Sequence, residues 1–414
     1  MNRRIFIGGL SAAAGATILR ADVLPSNKVA LGVIGVGWQG FATMKIFMSD
    51  SRVEVAGICD IDADHLAEAK AAAPGARTHH EYEELLARPD IDAVYMAVPD
   101  HWHGTVAAAA AKAGKDIYGE KPLAHNWAEG KMIVDTVARY GRIWQTGSWQ
   151  RSVADFRFAC ELVRNGRIGK VHRVEIGLPA GLTDWDGLGN RVRPEAPPKT
   201  LDWSRWLGPA PQVPYAPARV HKTWRWNYDT GGGSLMDWVG HHVDIAHWGL
   251  GLDDTGPIEV SGQGEITNHP VWDTPPQWRV TAKYRGGLVM KIAGGYDDIR
   301  SGTRWIGDEG SVWVDRSGIE TIPRSLLSSR IRPDEVRLPV SSSHHRQFID
   351  CVLTRGETLT PAHVALRSAT PGYLGTIAMR TGRTIHWDPD RQEIPGDPAA
   401  ARLLSRPGRS PWFV

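Results

Sequence analysis

Apolar and polar positions divide most of the chain into two stretches with different periodicity. Over residues 28–150, short apolar runs such as Val29–Ile34, Val53–Cys59 and Asp92–Val98 alternate with helix-compatible segments. This alternation predicts a parallel, doubly wound sheet. Over residues 151–385, strands of alternating polarity are joined by tight turns such as 285–287. The second pattern predicts an α/β domain built on an open, mainly antiparallel sheet.

Individual elements follow from the same pattern. One helix is expected to begin at Thr105, and another to run without interruption through Leu235–Leu250. The stretch 179–230 is a loop rich in Pro, Trp and Arg, long enough to be functional. Residues 386–414, rich in Pro and Arg, are expected to form a tail that wraps the surface.

A glycine motif follows the first apolar run. Gly35, Gly37 and Gly40 have the spacing G-x-G-x-x-G, with Trp38 and Gln39 inside the same turn. The first glycine permits a tight turn, the second lets the backbone approach a pyrophosphate, and the third lets helix and strand pack closely. Strand, glycines, helix, second strand and a terminal acid in this order predict a dinucleotide-binding domain.

The terminal acid is Asp60, twenty positions after Gly40. Its carboxylate is expected to accept hydrogen bonds from the ribose hydroxyls and to repel a 2′-phosphate. Ile61, Asp62 and Ala63 supply no arginine that could neutralise such a phosphate. The predicted cofactor is therefore NAD rather than NADP.

The amino-acid composition limits the classes of function that are expected. With 48 basic and 46 acidic residues the formal net charge is +2, which gives nucleic-acid binding no support. The 18 tryptophans against 7 phenylalanines favour a carbohydrate site, because indole rings stack on sugar faces. Three cysteines far apart in the chain fit neither a metal site nor a disulfide framework.

The first 27 residues differ from the rest. Arg3 and Arg4 precede a mildly apolar run, Gly8–Leu19, in the manner of a twin-arginine export signal. The run is too short for a transmembrane helix. The expected location is therefore the periplasm, and a frayed N-terminal helix is the alternative.

Polar residues follow two strands of the predicted parallel sheet, where ligands of such sheets bind. Pro99 and His103 come after one strand, and Glu120 and Lys121 after the next. A lysine at this edge can stabilise an alkoxide or polarise a carbonyl. The alternative for Lys121 is a surface lysine in a turn.

A second group lies in the predicted helix Leu235–Leu250. Asp237, His241 and Asp244 are spaced i, i+4 and i+7, which predicts one shared helix face. A histidine beside carboxylates is a plausible general base, with Asp237 orienting it. A metal site is the weaker alternative, so no metal is expected. Gln150 and Arg151 join Asp244 as candidate substrate contacts.

These motifs together resemble the Gfo/Idh/MocA oxidoreductases, across nearly the whole chain from Lys28. The resemblance implies a Rossmann domain followed by an α/β domain whose open sheet often forms oligomer contacts. It also implies that Lys121, Asp237 and His241 carry catalysis, and that the exported members are most similar.

The expected activity is therefore NAD-dependent oxidation or reduction of a sugar or polyol hydroxyl. His241 takes the hydroxyl proton while Lys121 holds the reacting oxygen. Two alternatives stay open. One is an NAD-dependent glycosidase that oxidises a sugar carbon transiently, eliminates the aglycone and restores the hydroxyl. The other is a redox-neutral sugar–sugar oxidoreductase.

Overall fold

The computed structural model describes residues 28–412. The predicted export signal in residues 1–27 lies outside the described residues, as do residues 413–414. Six parallel strands form one sheet in the order β3-β2-β1-β4-β5-β6. This confirms the predicted doubly wound sheet. The strands are β1 Val29–Ile34, β2 Val53–Cys59, β3 Arg77–His79, β4 Ala93–Met96, β5 Asp116–Gly119 and β6 Trp144–Thr146.

Five helices connect these strands. Their short apolar faces pack on the sheet, whose strands β1, β4, β5 and β6 are buried along nearly their whole length, whereas the edge strand β3 is not. The helices are α1 Trp38–Met48, α2 Ala63–Ala72, α3 Tyr82–Leu86, α4 Asp100–Lys112 and α5 Trp127–Arg139.

The second domain contains a sheet of eight strands in the order β13-β12-β11-β7-β10-β9-β8-β14. Its pairs are antiparallel except for β7 and β10, which run parallel, so the sheet is mixed but mainly antiparallel as predicted. The strands are β7 Val171–Leu178, β8 Glu259–Gly264, β9 Trp278–Lys283, β10 Val289–Gly294, β11 Gly302–Gly307, β12 Gly310–Asp315, β13 Gly318–Ile322 and β14 Ile385–His386.

The helices of this half pack on one face of the mixed sheet and against the first domain. α10 contributes Phe348 and Ile349 to the apolar core formed by Met44 and Phe47 of α1. The helices are α6 Ala154–Arg164, α7 Trp203–Leu207, α8 Gly233–Trp238, α9 Asp244–Leu250, α10 His344–Thr354, α11 Ala362–Thr381 and α12 Pro398–Ala401.

Two predicted helices are wrong in detail. The helix expected from Thr105 begins at Asp100, because Pro99 supplies extended backbone directly before its first turn. The helix expected over Leu235–Leu250 is interrupted by a π-helical turn, Val239–Val243, between α8 and α9. The extra residue in that turn changes which side chains share a face.

The C-terminal tail lies over both domains. Arg406 donates to the backbone oxygens of Asp229 (2.6 Å) and His101 (3.1 Å). Trp412 packs against Trp102, with ring centres 6.2 Å apart. Within residues 28–412, none of the helices combines the length and apolar character needed to cross a bilayer.

Candidate active site

A cleft of about 880 Å³ runs between the two domains. The glycine motif and Asp60 line it at one side, and residues from α8 and the π-helical turn line it at the other. The carboxyl ends of β1, β2, β4 and β5 meet at this cleft, where a doubly wound sheet binds its ligands. The cleft therefore joins the predicted cofactor residues to the predicted catalytic residues.

The glycine turn has the geometry that a pyrophosphate requires. Gly35 has φ +84°, and a Cβ at Gly40 would lie 2.1 Å from the carbonyl oxygen of Gly35. Neither position therefore tolerates a side chain. Gly37 is the N-cap of α1, and no side chain caps that helix. Uncapped N–H groups and the positive end of the helix dipole suit the phosphates of NAD.

Asp60 is held at the end of β2 by the same turn. Its carboxylate accepts the backbone N–H groups of Val36 (2.8 Å) and Asp62 (2.9 Å). Burial raises the pKa of Asp60, and these two hydrogen bonds oppose the shift. Beside it, possible ligand atoms of Asp62, His65 and His221 lie within 4.8 Å of one another. The cluster borders the expected ribose position.

Lys121 and Asp237 connect the two domains at the other end of the cleft. The Lys121 ammonium donates to Oδ1 of Asp237 (2.9 Å) and to its backbone oxygen (2.7 Å). Arg225 donates to the same Oδ1 at 2.9 Å. Burial alone would raise the pKa of Asp237, but the two cations more than offset it and hold the pKa well below its usual range. Asp237 is thus an anion at neutral pH.

His241 lies in the π-helical turn and lines the cleft. Its ring packs against Trp238 (centres 5.5 Å apart) and Trp149 (6.4 Å). Nδ1 of His241 is buried and has no hydrogen-bond partner among residues 28–412, so the predicted orienting contact with Asp237 does not form at that nitrogen. Burial, together with the charges of Lys121 and Arg316, lowers the pKa of His241 well below its usual value. The imidazole is therefore neutral at pH 7.

The remaining predicted cofactor residues line the cleft between these two ends: Trp38, Gln39, Pro99, His103 and Glu120. His103 is fixed by the backbone oxygens of Pro122 (2.8 Å) and Val98 (3.0 Å), and burial lowers its pKa. Glu120 accepts from the Tyr95 hydroxyl (3.0 Å), and burial raises its pKa. Each ring nitrogen of His103 faces a backbone oxygen, and the neutral imidazole donates to one of the two, so the ring is held in the cleft wall.

The candidate substrate residues Gln150, Arg151 and Asp244 are not part of the cleft lining. Arg151 is buried and donates to both oxygens of Asp244 (2.8 Å each) and to Asp253 (2.8 and 3.0 Å). Asp244 therefore points away from the face that carries Asp237, because the π-helical turn separates them. The prediction of one shared helix face is wrong.

Several cleft residues were not predicted. Arg225 comes from the long loop 179–230, and Arg316 comes from the turn between β12 and β13. Trp185 stacks on Trp226 (5.2 Å, 22°) and approaches Trp38 of the glycine turn (6.2 Å). The composition of the loop was the available signal, because tryptophan and arginine are concentrated there.

Comparison with known proteins matches each of the two domains to a profile of an oxidoreductase family. The profile described as "Oxidoreductase family, NAD-binding Rossmann fold" matches residues 29–148. The profile described as "Oxidoreductase family, C-terminal alpha/beta domain", of the Gfo/Idh/MocA group, matches residues 154–414. The two profiles meet where the parallel sheet gives way to the mixed sheet.

Relatives with assigned names are similar over parts of their length. A 1-carboxy-3-chloro-3,4-dihydroxycyclohexa-1,5-diene dehydrogenase of Comamonas testosteroni is 24% identical over 74% of this chain and 66% of its own length. Inositol 2-dehydrogenase 2 of Saccharopolyspora erythraea is 34% identical over 43% of this chain and 53% of its own. A glycosyl hydrolase family 109 protein of Shewanella baltica is 31% identical over 30% and 29%.

Solved structures share the fold. The WlbA dehydrogenase of Bordetella pertussis, in complex with NADH and UDP-GlcNAcA, superposes with a TM-score of 0.65 at 20% identity. The superposition covers 87% of this chain and 98% of that one. Identity this low supports the two-domain architecture alone.

Proposed function

Because the chain belongs to the Gfo/Idh/MocA oxidoreductase family and carries its NAD-binding domain, we propose that it oxidises a hydroxyl carbon of a sugar or polyol, or reduces the corresponding carbonyl. One observation carries the proposal. Lys121, Asp237 and His241 line the same cleft as the glycine turn and Asp60. A substrate hydroxyl can therefore reach an acid–base group and the cofactor at once.

The glycine turn, the uncapped start of α1 and Asp60 would hold the cofactor. When bound, NAD supplies the hydride acceptor or donor at its nicotinamide ring. The chain's own residues handle the proton and the oxygen. His241 is neutral and can accept the hydroxyl proton. Lys121 uses two of its three N–H donors on Asp237, which leaves the third for the reacting oxygen.

Asp237 acts in this scheme by fixing its neighbours. It holds the ammonium of Lys121 and the guanidinium of Arg225 at 2.9 Å each. The fixed ammonium requires little reorganisation when negative charge develops on the substrate oxygen. Asp237 is thus a positioning residue for Lys121 rather than for His241.

The NAD-dependent glycosidase is a second candidate, in which transient oxidation, elimination and re-reduction leave no net redox change. Two observations favour it. The similarity to a glycosyl hydrolase family 109 protein covers 135 residues, and Trp185 approaches Trp38 over the glycine turn in a way that would retain the cofactor. A redox-neutral sugar–sugar oxidoreductase would use the same retention.

One assay separates these activities. Purified protein is given free sugars singly and in pairs, polyols and aryl glycosides, and NADH absorbance, aglycone release and reduced sugar products are followed together. A dehydrogenase produces NADH from free sugars or polyols. A glycosidase releases aglycone without net NADH, and a sugar–sugar enzyme turns over only when a second sugar is added. Absence of all three products across the panel would contradict a carbohydrate oxidoreductase of any of these kinds.

Location and assembly complete the proposal. The paired arginines Arg3 and Arg4 support export to the periplasm after folding in the cytoplasm. The open sheet of the second domain supports a homo-oligomer formed through that sheet. Fractionation of cells that express the full chain, and light scattering of the purified protein, test these two points independently of the assay.

A further inference from the structure

One cation in the cleft has no salt-bridge or hydrogen-bond partner among residues 28–412. Five Lys and Arg residues line the cleft, and four of them form salt bridges of 2.5–2.9 Å: Lys121, Arg205, Lys222 and Arg225. The fifth is Arg316, and no salt bridge or hydrogen bond formed within residues 28–412 involves its guanidinium. The neighbouring carboxylate of Asp315 instead accepts from the backbone and hydroxyl of Ser317.

Arg316 is nevertheless held in place. It lies in the exposed turn between β12 and β13, and its guanidinium carbon is 4.8 Å from the ring centres of both Trp149 and Trp238. Cation–π contacts with two indole rings restrict the side chain while leaving N–H donors at the edge of the guanidinium. The same two rings contact His241. Arg316 therefore belongs to the reacting end of the cleft, remote from the glycine turn.

A fixed, unpaired guanidinium beside the acid–base group is a binding site for an anion. Its planar fork matches a carboxylate in two parallel hydrogen bonds. A phosphate dianion would require a second cation with free donors, whereas Lys121 and Arg225 share the carboxylate of Asp237, and Lys121 has a single N–H left for the reacting oxygen. The chemistry at this end of the cleft therefore favours a single carboxylate.

We propose that the substrate is an acidic sugar, a uronic or aldonic acid, whose carboxylate pairs with Arg316 while a hydroxyl faces His241 and Lys121. This inference rests on the proposed carbohydrate activity and specifies its substrate class. The wild-type protein with NAD bound is expected to prefer sugar acids over the matched neutral sugars, and over sugar phosphates, by at least about 10-fold in kcat/KM.

The test compares Arg316→Met with Arg316→Lys and with a control, Arg300→Met. Arg300 also stacks on a tryptophan, Trp313, but is exposed, paired with Glu320 and outside the cleft lining. Each NAD-loaded protein is assayed on glucuronate, galacturonate and gluconate, on glucose and galactose, and on glucose 6-phosphate. Equilibrium binding of the same sugars is measured in parallel.

For Arg316→Met we expect a loss of about 10- to 100-fold in kcat/KM on the acids, mainly through KM. Neutral sugars should be affected much less than the acids, because they offer no carboxylate to the guanidinium. Arg316→Lys should recover part of the loss, and Arg300→Met should match the wild type.

The outcomes separate the two proposals. If the wild type binds neutral sugars or sugar phosphates as tightly as the acids, or Arg316→Met affects all sugars equally, the acidic-substrate inference is wrong while the redox function stands. If acids bind in an Arg316-dependent manner but no variant transfers hydride, the acid site stands and the proposed function fails.

Discussion

The ammonium of Lys121 is bound by two oxygens of Asp237, the carboxylate Oδ1 at 2.9 Å and the backbone oxygen at 2.7 Å. Lys121 follows the fifth strand of the NAD-binding domain, and Asp237 belongs to the second domain. The relative position of the domains therefore fixes the group that would hold the substrate oxygen. Lys121, identified in the sequence from the three-residue motif E-K-P, is thus bound by a partner that lies 116 positions away along the chain.

Lys121→Met should lower kcat by about 10²–10³-fold while the protein still binds NAD, because the donor to the reacting oxygen is lost and the aliphatic chain stays. Asp237 keeps Arg225 as a partner, so the fold should survive. Steady-state kinetics on the best sugar of the panel, with NAD binding measured by tryptophan fluorescence, check this. Near-normal kcat would place the oxygen-holding group elsewhere.

His241→Asn should fold, bind NAD and lose about 10²–10⁴-fold in turnover, since a proton acceptor is removed and the shape largely kept. The matched control is His242→Asn. His242 is buried, its Nδ1 lies 3.1 Å from the Thr303 hydroxyl, and it does not line the cleft. We expect the control to lose stability but retain turnover in the folded fraction. Equal turnover losses in the two variants would remove His241 from the mechanism.

The features that the sequence predicted best depend on local spacing. Gly35, Gly40 and Asp60 belong to one strand–turn–helix–strand unit. The geometry of this unit depends on contacts among residues 29–60, which are close in sequence. The π-helical turn depends on tertiary contacts instead. A Cβ at Gly240 would lie 2.9 Å from the Cβ of Lys121. Thr303 of β11 donates to the backbone oxygen of His242. The apolar periodicity of the sequence does not indicate either contact, so the pattern predicted an uninterrupted helix over Leu235–Leu250.

The misassigned substrate residues have the same origin. Asp244 was placed beside the catalytic group by the i, i+7 spacing of an ideal helix, and Arg151 was a separate candidate contact. The π-helical turn rotates Asp244 away, and the resulting ion pair with Arg151 is buried in the second domain. Arg316 could not be identified, because a lone arginine at the end of an apolar run gives no indication of which rings it contacts.

Asp60→Ala should weaken NAD binding and reduce the discrimination against NADP, because both the ribose acceptor and its repulsion of a 2′-phosphate disappear. The structure adds a second cause, since Asp60 also accepts the N–H of Val36 within the glycine turn. Asp60→Asn is the matched variant that removes the charge but keeps an acceptor for that N–H group. Titrations of each protein with NAD and NADP measure both effects. Wild-type protein that binds NADP as tightly as NAD would refute the role of Asp60.

The stability of the protein should depend on pH through His345. Burial lowers its pKa to about 4, and its ring stacks on Tyr118 with centres 5.3 Å apart. The unfolded chain has a histidine pKa of about 6.5, so acid protonates the unfolded state first and favours it. The lost stability amounts to roughly 1.4 kcal/mol per pH unit between about pH 6.5 and 4.

His345→Phe should abolish this contribution while keeping the ring stack. Urea unfolding at pH 7, 6 and 5 should therefore give a shallower decline for the variant than for the wild type. The comparison cancels the contributions of the other buried groups, which both proteins share. Parallel pH dependences for the two proteins would show that His345 does not titrate differently on unfolding.

The last prediction concerns retention of the cofactor. Trp185 of the long loop approaches Trp38 of the glycine turn, and Lys222 and Arg225 of the same loop lie 5.2 and 5.5 Å from the Trp38 ring centre. We expect that this contact must open before a bound pyrophosphate can leave. A periplasmic enzyme would depend on such retention, because no pool of NAD exists there for exchange.

Protein purified without added cofactor should therefore release near-stoichiometric NAD when denatured. Trp185→Ala should release markedly less, whereas Tyr140→Ala, which removes an exposed aromatic ring outside the cleft, should match the wild type. Cofactor-free wild-type protein that turns over only with added NAD would exclude retention, and with it the main support for the redox-neutral activities.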